Sequence, residues 1–175
     1  MVIFVPVKGR GGNNFMKQSE IDKSIVGFFL GEVVHSGYVH YVKDEGMILC
    51  TGKADCVLCK TPSVAAARFQ FKAPFALVND EGGVTDTVIF QGGKVIYDAL
   101  VSLNEEMDVT AFCVKIKRTI TGGRAMDVSY AVIPTTIKAP REAIQDIPTV
   151  LPYKTAALLQ GTQNLAEEEI LSLED

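Results

Sequence analysis

No apolar run in this 175-residue chain approaches the roughly 18 residues that a membrane-spanning helix needs. The opening MVIFVPVKGRGG is too short and too Gly-rich to read as a secretory leader. The usual signatures of catalysis are also missing. There is no Gly-x-Ser-x-Gly elbow, no HExxH pair and no nucleotide-binding loop, since the nearest approaches, TGKA and GGKV, lack the hydroxyl that such a loop places on magnesium. Neither histidine is followed by glutamate two residues on, and Asp55 stands where zinc deaminases place proline before their cysteine pair. The carboxylates lie scattered among expected loops and form no catalytic constellation, so a binding protein is expected here and not an enzyme. With 47% apolar and 22% charged residues the composition is globular, and a chain of this length can bury about 70% of its unfolded surface without staples. The expectation is a soluble protein of the cytoplasm, the host's if the chain is viral, in which cysteines serve as thiols or metal ligands and not as disulfides.

Cysteine and histidine are scarce, yet they are concentrated. Three of four cysteines and one of two histidines fall in YVHYVKDEGMILCTGKADCVLC, from Tyr38 to Cys59. Cys56 and Cys59 form a C-x2-C knuckle that lets two thiolates reach one ion. Gly52 relaxes the approach from Cys50, and an imidazole completes the three-sulfur, one-nitrogen set that a structural Zn2+ accepts. His40 alternates with Val39 and Tyr41 along an expected strand and is the favoured fourth ligand. His35 is the alternative, with Cys113 and Asp55 as outsiders. A redox reading of the C-x2-C pair would want a βαβ setting, and no such pattern surrounds it.

The net charge of −4 hides an asymmetry. The last nine residues, EEEILSLED, hold five acids and no base, so residues 1–166 carry 17 bases against 16 acids. Residues 1–19 read as a flexible basic arm with Lys8, Arg10 and Lys17. Strands are expected over Ser24–Val34, Tyr38–Lys43, Phe69–Val78, VTDTVIF, Val109–Arg118 and DVSYAVIPTTIK, with one late helix in KVIYDALVSLNEE and a short one after Pro62. Within the helix, Val95, Ile96, Leu100 and Leu103 are expected on one face. After Pro140 only short helical pieces fit, one from Arg141 and one over Tyr153–Gln160, before the acidic tail. This layout predicts a mainly β domain over 20–140: a five-stranded barrel of the OB type with a zinc subdomain inserted at about 40–62, followed by a linker and tail over 141–175. An SH3-like barrel and a β-sandwich are the alternatives.

Bases interleave with aromatics along this expected barrel. Lys60, Arg68 and Lys72 follow the knuckle, Lys115, Lys117 and Arg118 share one strand, and Arg124 lies in the next loop. Tyr38, Tyr41 and Tyr130 are the aromatics with the best prospect of meeting a ligand, whereas Phe69, Phe71 and Phe112 are expected in the core. A basic groove that tracks phosphates while aromatic rings stack on bases is how single strands are bound without sequence preference.

The motif C-x-G-x3-C-x2-C after V-H-Y resembles the zinc motif of single-stranded-DNA-binding proteins of tailed phages, whose OB fold carries a zinc subdomain. The resemblance extends more weakly through VTAFCVKIKRTITGGRAMDVSYAVIP and the acidic terminus. It implies His40, Cys50, Cys56 and Cys59 as zinc ligands and basic strand residues lining a DNA cleft. It also implies that Glu167, Glu168, Glu169, Glu174 and Asp175 bind partner proteins of replication or recombination and compete with DNA. This chain departs from that pattern in the short spacing between Cys50 and Cys56 and in the modest basicity of its body. A zinc-knuckle adaptor that docks proteins and no nucleic acid is the rival expectation.

Overall fold

The computed structural model describes residues 15–31, 35–124 and 127–156. In chain order they form β1 (Phe15–Lys17), a 3-10 turn, β2 (Ser24–Phe29), β3 (His35–Val42), β4 (Gly46–Leu49), a 3-10 turn over Leu58–Lys60, β5 (Arg68–Val78) and β6 (Val84–Gly93). There follow α1 (Lys94–Glu106), β7 (Phe112–Ile120), β8 (Val128–Lys138), a 3-10 turn over Arg141–Ala143, and β9 (Lys154–Thr155). The chain divides into two compact units. One takes Met1–Ser36 and Gln70–Val150, the other Gly37–Phe69 and Leu151–Asp175.

In the first unit the strand order is β8-β7-β2-β5-β6-β1, antiparallel throughout except where β1 joins β6 in parallel. This corrects the expected OB barrel, because β8 and β1 are the two ends of the order and no pairing among the described residues joins them. Closing a sheet requires it to curl until it covers its own inner face. Here one face is buried by α1, through Ile96 and Leu100, and curling is not needed to hide it. The other face buries Phe28, Leu30, Ala76, Val78 and Cys113 beneath Ala139 and Ile144, which come from the segment after β8.

The helix-side face is built on phenylalanine. Phe29 and Phe75 have ring centroids 4.9 Å apart, Phe75 and Phe90 5.7 Å, Phe71 and Phe90 5.9 Å, and Phe71 and Tyr97 of α1 5.6 Å. All are tilted contacts in the range that aromatic quadrupoles favour. Gly27 makes this possible. A Cβ there would lie 2.6 Å from the Phe75 ring and closer still to the Ala76 carbonyl, so only glycine lets Phe75 cross β2. Helix α1 occupies the expected residues, but its buried stripe is Ile96 and Leu100, one turn apart, and Val95 projects outward at 64% exposure.

Other boundaries differ from the sequence expectation. Phe15–Lys17, expected inside the basic arm, pairs with β6 as β1. The stretch after Pro62 forms turns and no helix. Two short strands, β4 and β9, were not expected at all. In the second unit β3 and β4 form an antiparallel hairpin, and β9 adds in parallel to β4 through Ile48 opposite Lys154 and Leu49 opposite Thr155. A Lys154–Glu45 ion pair of 3.2 Å accompanies that pairing. Residues 1–14, with Lys8 and Arg10, and 157–175, with all five tail acids, lie outside the described residues.

Candidate metal centre and a lysine-bearing sheet face

Among the described residues, Ile48, Cys56 and Leu58 of the second unit are buried together, with Val42, Cys50, Val64 and Ala156 packed around them. What organises this unit is the cluster of His40, Cys50, Cys56 and Cys59, whose ligand atoms all lie within 4.8 Å of one another. Cys50 Sγ is 3.5 Å from Cys59 Sγ, and His40 Nε2 is 3.3 Å from Cys59 Sγ and 3.6 Å from Cys56 Sγ. A tetrahedral zinc with ordinary bond lengths sets its sulfurs about 3.8 Å apart and a sulfur and nitrogen about 3.6 Å apart. The donor set and spacing therefore fit zinc. Four protein ligands close the coordination shell, which makes this a structural site with no position for water or substrate.

Local sequence explains how each ligand arrives. Alternation along β3 puts His40 on the face opposite Val39 and Tyr41, as expected, and pairs it with Ile48 of β4. Cys50 follows β4 directly, its amide donating to the Tyr38 carbonyl at 2.8 Å. Gly52, at φ 111°, takes a backbone conformation that side chains disfavour. Its carbonyl then accepts the amides of Asp55 at 3.2 Å and Cys56 at 2.8 Å, which turns the chain back toward Cys50. The 3-10 turn at Leu58–Lys60 presents Cys59, and the Thr61 hydroxyl fastens it by donating to the Val57 carbonyl at 2.9 Å.

His40 is 1% exposed and its Nδ1 lies 2.9 Å from the Ala65 carbonyl oxygen. A carbonyl can only accept, so Nδ1 carries the proton and Nε2 keeps its lone pair for the metal. This outer partner fixes both tautomer and ring angle. The thiols differ from one another. Burial works to raise Cys56, but the backbone amides of Cys59, Thr51 and Leu58 and the Cys50 side chain outweigh it and bring Cys56 down to about 6. With no metal bound, desolvation of its sulfur, together with the neighbouring Cys50 and Cys56, pushes Cys59 up to about 11. His35 opens β3 and lies outside the cluster, Asp55 is exposed, and Cys113 is buried in the core of the first unit.

The expected nucleic-acid residues fall in several places. In register, residues directly paired across strands point to the same side of a sheet. Lys117 pairs with Ser24, Lys115 with Val26, Phe28 with Ala76, Lys72 with Gln91, and Gln91 with Lys17. Lys17, Lys72, Lys115 and Lys117 thus share the sheet face opposite α1, and among the described residues no strand position on that face is acidic. Lys17 and Lys117 are exposed, while Lys72 and Lys115 are half-buried. Burial lowers the Lys72 ammonium, which sits 6.0 Å from the centre of the Phe15 ring. Arg118 and Tyr130 pair with each other on the helix-side face, so the three bases of β7 do not act together. Arg118 reaches back to the Ile21 carbonyl at 3.4 Å, and Arg124 is exposed in the β7–β8 loop. In the second unit Lys60 and Arg68 are exposed, Tyr41 is 61% exposed, and Tyr38 packs edge-on against Phe69 at 5.7 Å.

Sequence reasoning missed two members of the lysine-bearing face. Phe15 and Lys17 were assigned to a flexible arm. Arg141 was missed as well: its guanidinium donates to the Thr110 carbonyl at 2.8 Å and the Leu30 carbonyl at 3.4 Å, which places a cation over the patch that Ala139 and Ile144 cover. Only the alternation of Phe15 and Lys17 around the buried Met16 hints at β1, and nothing local signals Arg141.

Fold and site together define a mainly β protein with a structural Cys3His zinc site. No family model matches the chain, and comparison with the curated proteins and the solved structures gives no match. No helix of the described residues is long and apolar enough to cross a membrane.

Proposed function

We propose that the protein binds single-stranded DNA without sequence preference and serves DNA replication, recombination or repair in the cytoplasm, as a binding protein and not an enzyme. The observation that carries this reading is the sheet face of Lys17, Lys72, Lys115 and Lys117, free of strand carboxylates among the described residues, with Phe15 on the same side and Arg141 above it. Ammonium groups spaced along a sheet neutralise successive phosphates, and an exposed ring offers a surface for a base. Zinc gives the second unit its form, and Tyr38, Tyr41, Lys60 and Arg68 are the residues there that would touch the strand. The acidic tail from Glu167 to Asp175 is the proposed docking point for partner proteins.

The test is binding of an oligo-dT strand across a salt series. Each phosphate contact contributes about 0.7 to the slope of log affinity against log salt for single strands. Lys115→Ala with Lys117→Ala should therefore reduce the slope by about 1.4 and weaken binding at low salt. No affinity of the full chain at low salt would end the reading. A second reading, a zinc-knuckle adaptor for proteins, is favoured by exposed apolar side chains in the second unit: Tyr41 at 61%, Leu151 at 64% and Val57 at 46%. Affinity for a protein with none for nucleic acid would select it.

A further inference from the structure

The four zinc ligands are unequally sheltered. His40 and Cys56 are each 1% exposed, Cys50 is half-buried, and Cys59 lies at the surface. Cys59 Sγ is also the sulfur beside Cys50, at 3.5 Å. Zinc bound by three thiolates carries one net negative charge, so its sulfurs stay nucleophilic toward an oxidant that can reach them. We propose that Cys59 and Cys50 form an oxidation site within the zinc centre, at which a peroxide converts the two thiolates to a disulfide and expels the metal.

The chemistry takes two steps. The Cys59 thiolate attacks one peroxide oxygen, the O–O bond breaks, and the sulfur becomes a sulfenic acid as hydroxide or alkoxide departs. The Cys50 thiolate then attacks the Cys59 sulfur and displaces hydroxide, forming the S–S bond. Two electrons leave the pair of sulfurs and reduce one peroxide. Only His40 and Cys56 would then remain to hold zinc, two of the four ligands and too few to retain it. The buried Cys56 is shielded from the first step. Cys113, buried beneath Ala139 and Ile144 in the first unit, is not a resolving partner.

This inference does not depend on nucleic-acid binding. The full zinc-loaded chain would be treated with hydrogen peroxide while a chromophoric chelator reports free metal and peptide mapping reports cysteine linkages. The expected result is one zinc released per disulfide formed, the linkage mapping to Cys50–Cys59, and recovery of the metal site after a reductant and zinc are added. Cys113→Ser, which leaves all four ligands in place, should release zinc at a rate within about twofold of the unsubstituted chain. A linkage involving Cys56 or Cys113, or zinc retained under peroxide that fully oxidises glutathione, would overturn the proposal.

Discussion

Replacing Cys56 with serine tests how far the second unit depends on its metal. The side chain is 1% exposed and sits among the amides of Cys59, Thr51 and Leu58, so the hydroxyl is accepted sterically but is a poor zinc ligand. Structural zinc sites bind with about 10–16 kcal/mol at neutral pH. An even share over four ligands puts about 2.5–4 kcal/mol on each. At 1.4 kcal/mol per tenfold, the variant should bind zinc about 100- to 1,000-fold more weakly. Competition against a chromophoric chelator measures the affinity directly. Amide exchange over residues 48–60 gives the structural counterpart, since the turn at Gly52 and the hairpin end at Cys50 should open more often once the metal is lost. An affinity within tenfold of the original, or unchanged exchange over those residues, would refute the claim that the cluster holds this unit together.

Three further outcomes are expected. Phe75→Ala removes the ring that touches both Phe29 and Phe90, and should cost about 3–5 kcal/mol of unfolding free energy in urea; a cost below about 1 kcal/mol would mean the aromatic core is not where the first unit draws its stability. Gly27→Val drives a side chain into the Phe75 ring and the Ala76 carbonyl, and should cost at least about 1–3 kcal/mol, whereas Gly31→Val meets nothing within 4 Å and should be tolerated. Asp108 is held below the usual carboxylate range by the Thr110 hydroxyl at 2.6 Å and amide at 2.8 Å. Its contribution is therefore present above about pH 4, the ordinary carboxylate value, and disappears as pH falls through the lowered folded value. The melting-temperature gap between the chain and Asp108→Ala should be constant from pH 7 to 5 and close in stronger acid; a gap independent of pH would show that the charge plays no part.

What was legible in the sequence was what lies close in the chain. The ligands span residues 40–59, and strand alternation decided which side of β3 His40 takes, so the zinc site could be read almost whole. Alternation also separated Lys115 and Lys117 from Phe112, Val114 and Ile116. It contains the information that Arg118 faces the other way, though the basic run KIKR suggests a common patch. Which strands lie side by side was not legible. The pairing of β1 with β6 joins Phe15 to Ile89, and no local propensity encodes a parallel partner that distant. The same blindness produced the barrel, because a count of curved strands does not reveal that α1 and the Ala139–Ile144 segment cover the two faces. The short β4 has only four residues before the ligand Cys50, and β9 has only two residues to signal itself.

The second unit is assembled from two separate pieces of chain, and this sets an order of events during synthesis. His40 through Cys59 can close around zinc as soon as they emerge, since bringing such a short segment together costs little chain entropy. The edge of β4 must then wait until Lys154 and Thr155 arrive, after the whole of the first unit's sheet has been made. Throughout that interval Ile48 and Leu49 present an unpaired strand edge beside an already loaded metal, which is the arrangement most open to pairing with another chain. Early metal capture followed by late edge closure makes β9 a latch, and a nascent chain halted before Lys154 would carry zinc but keep that edge open.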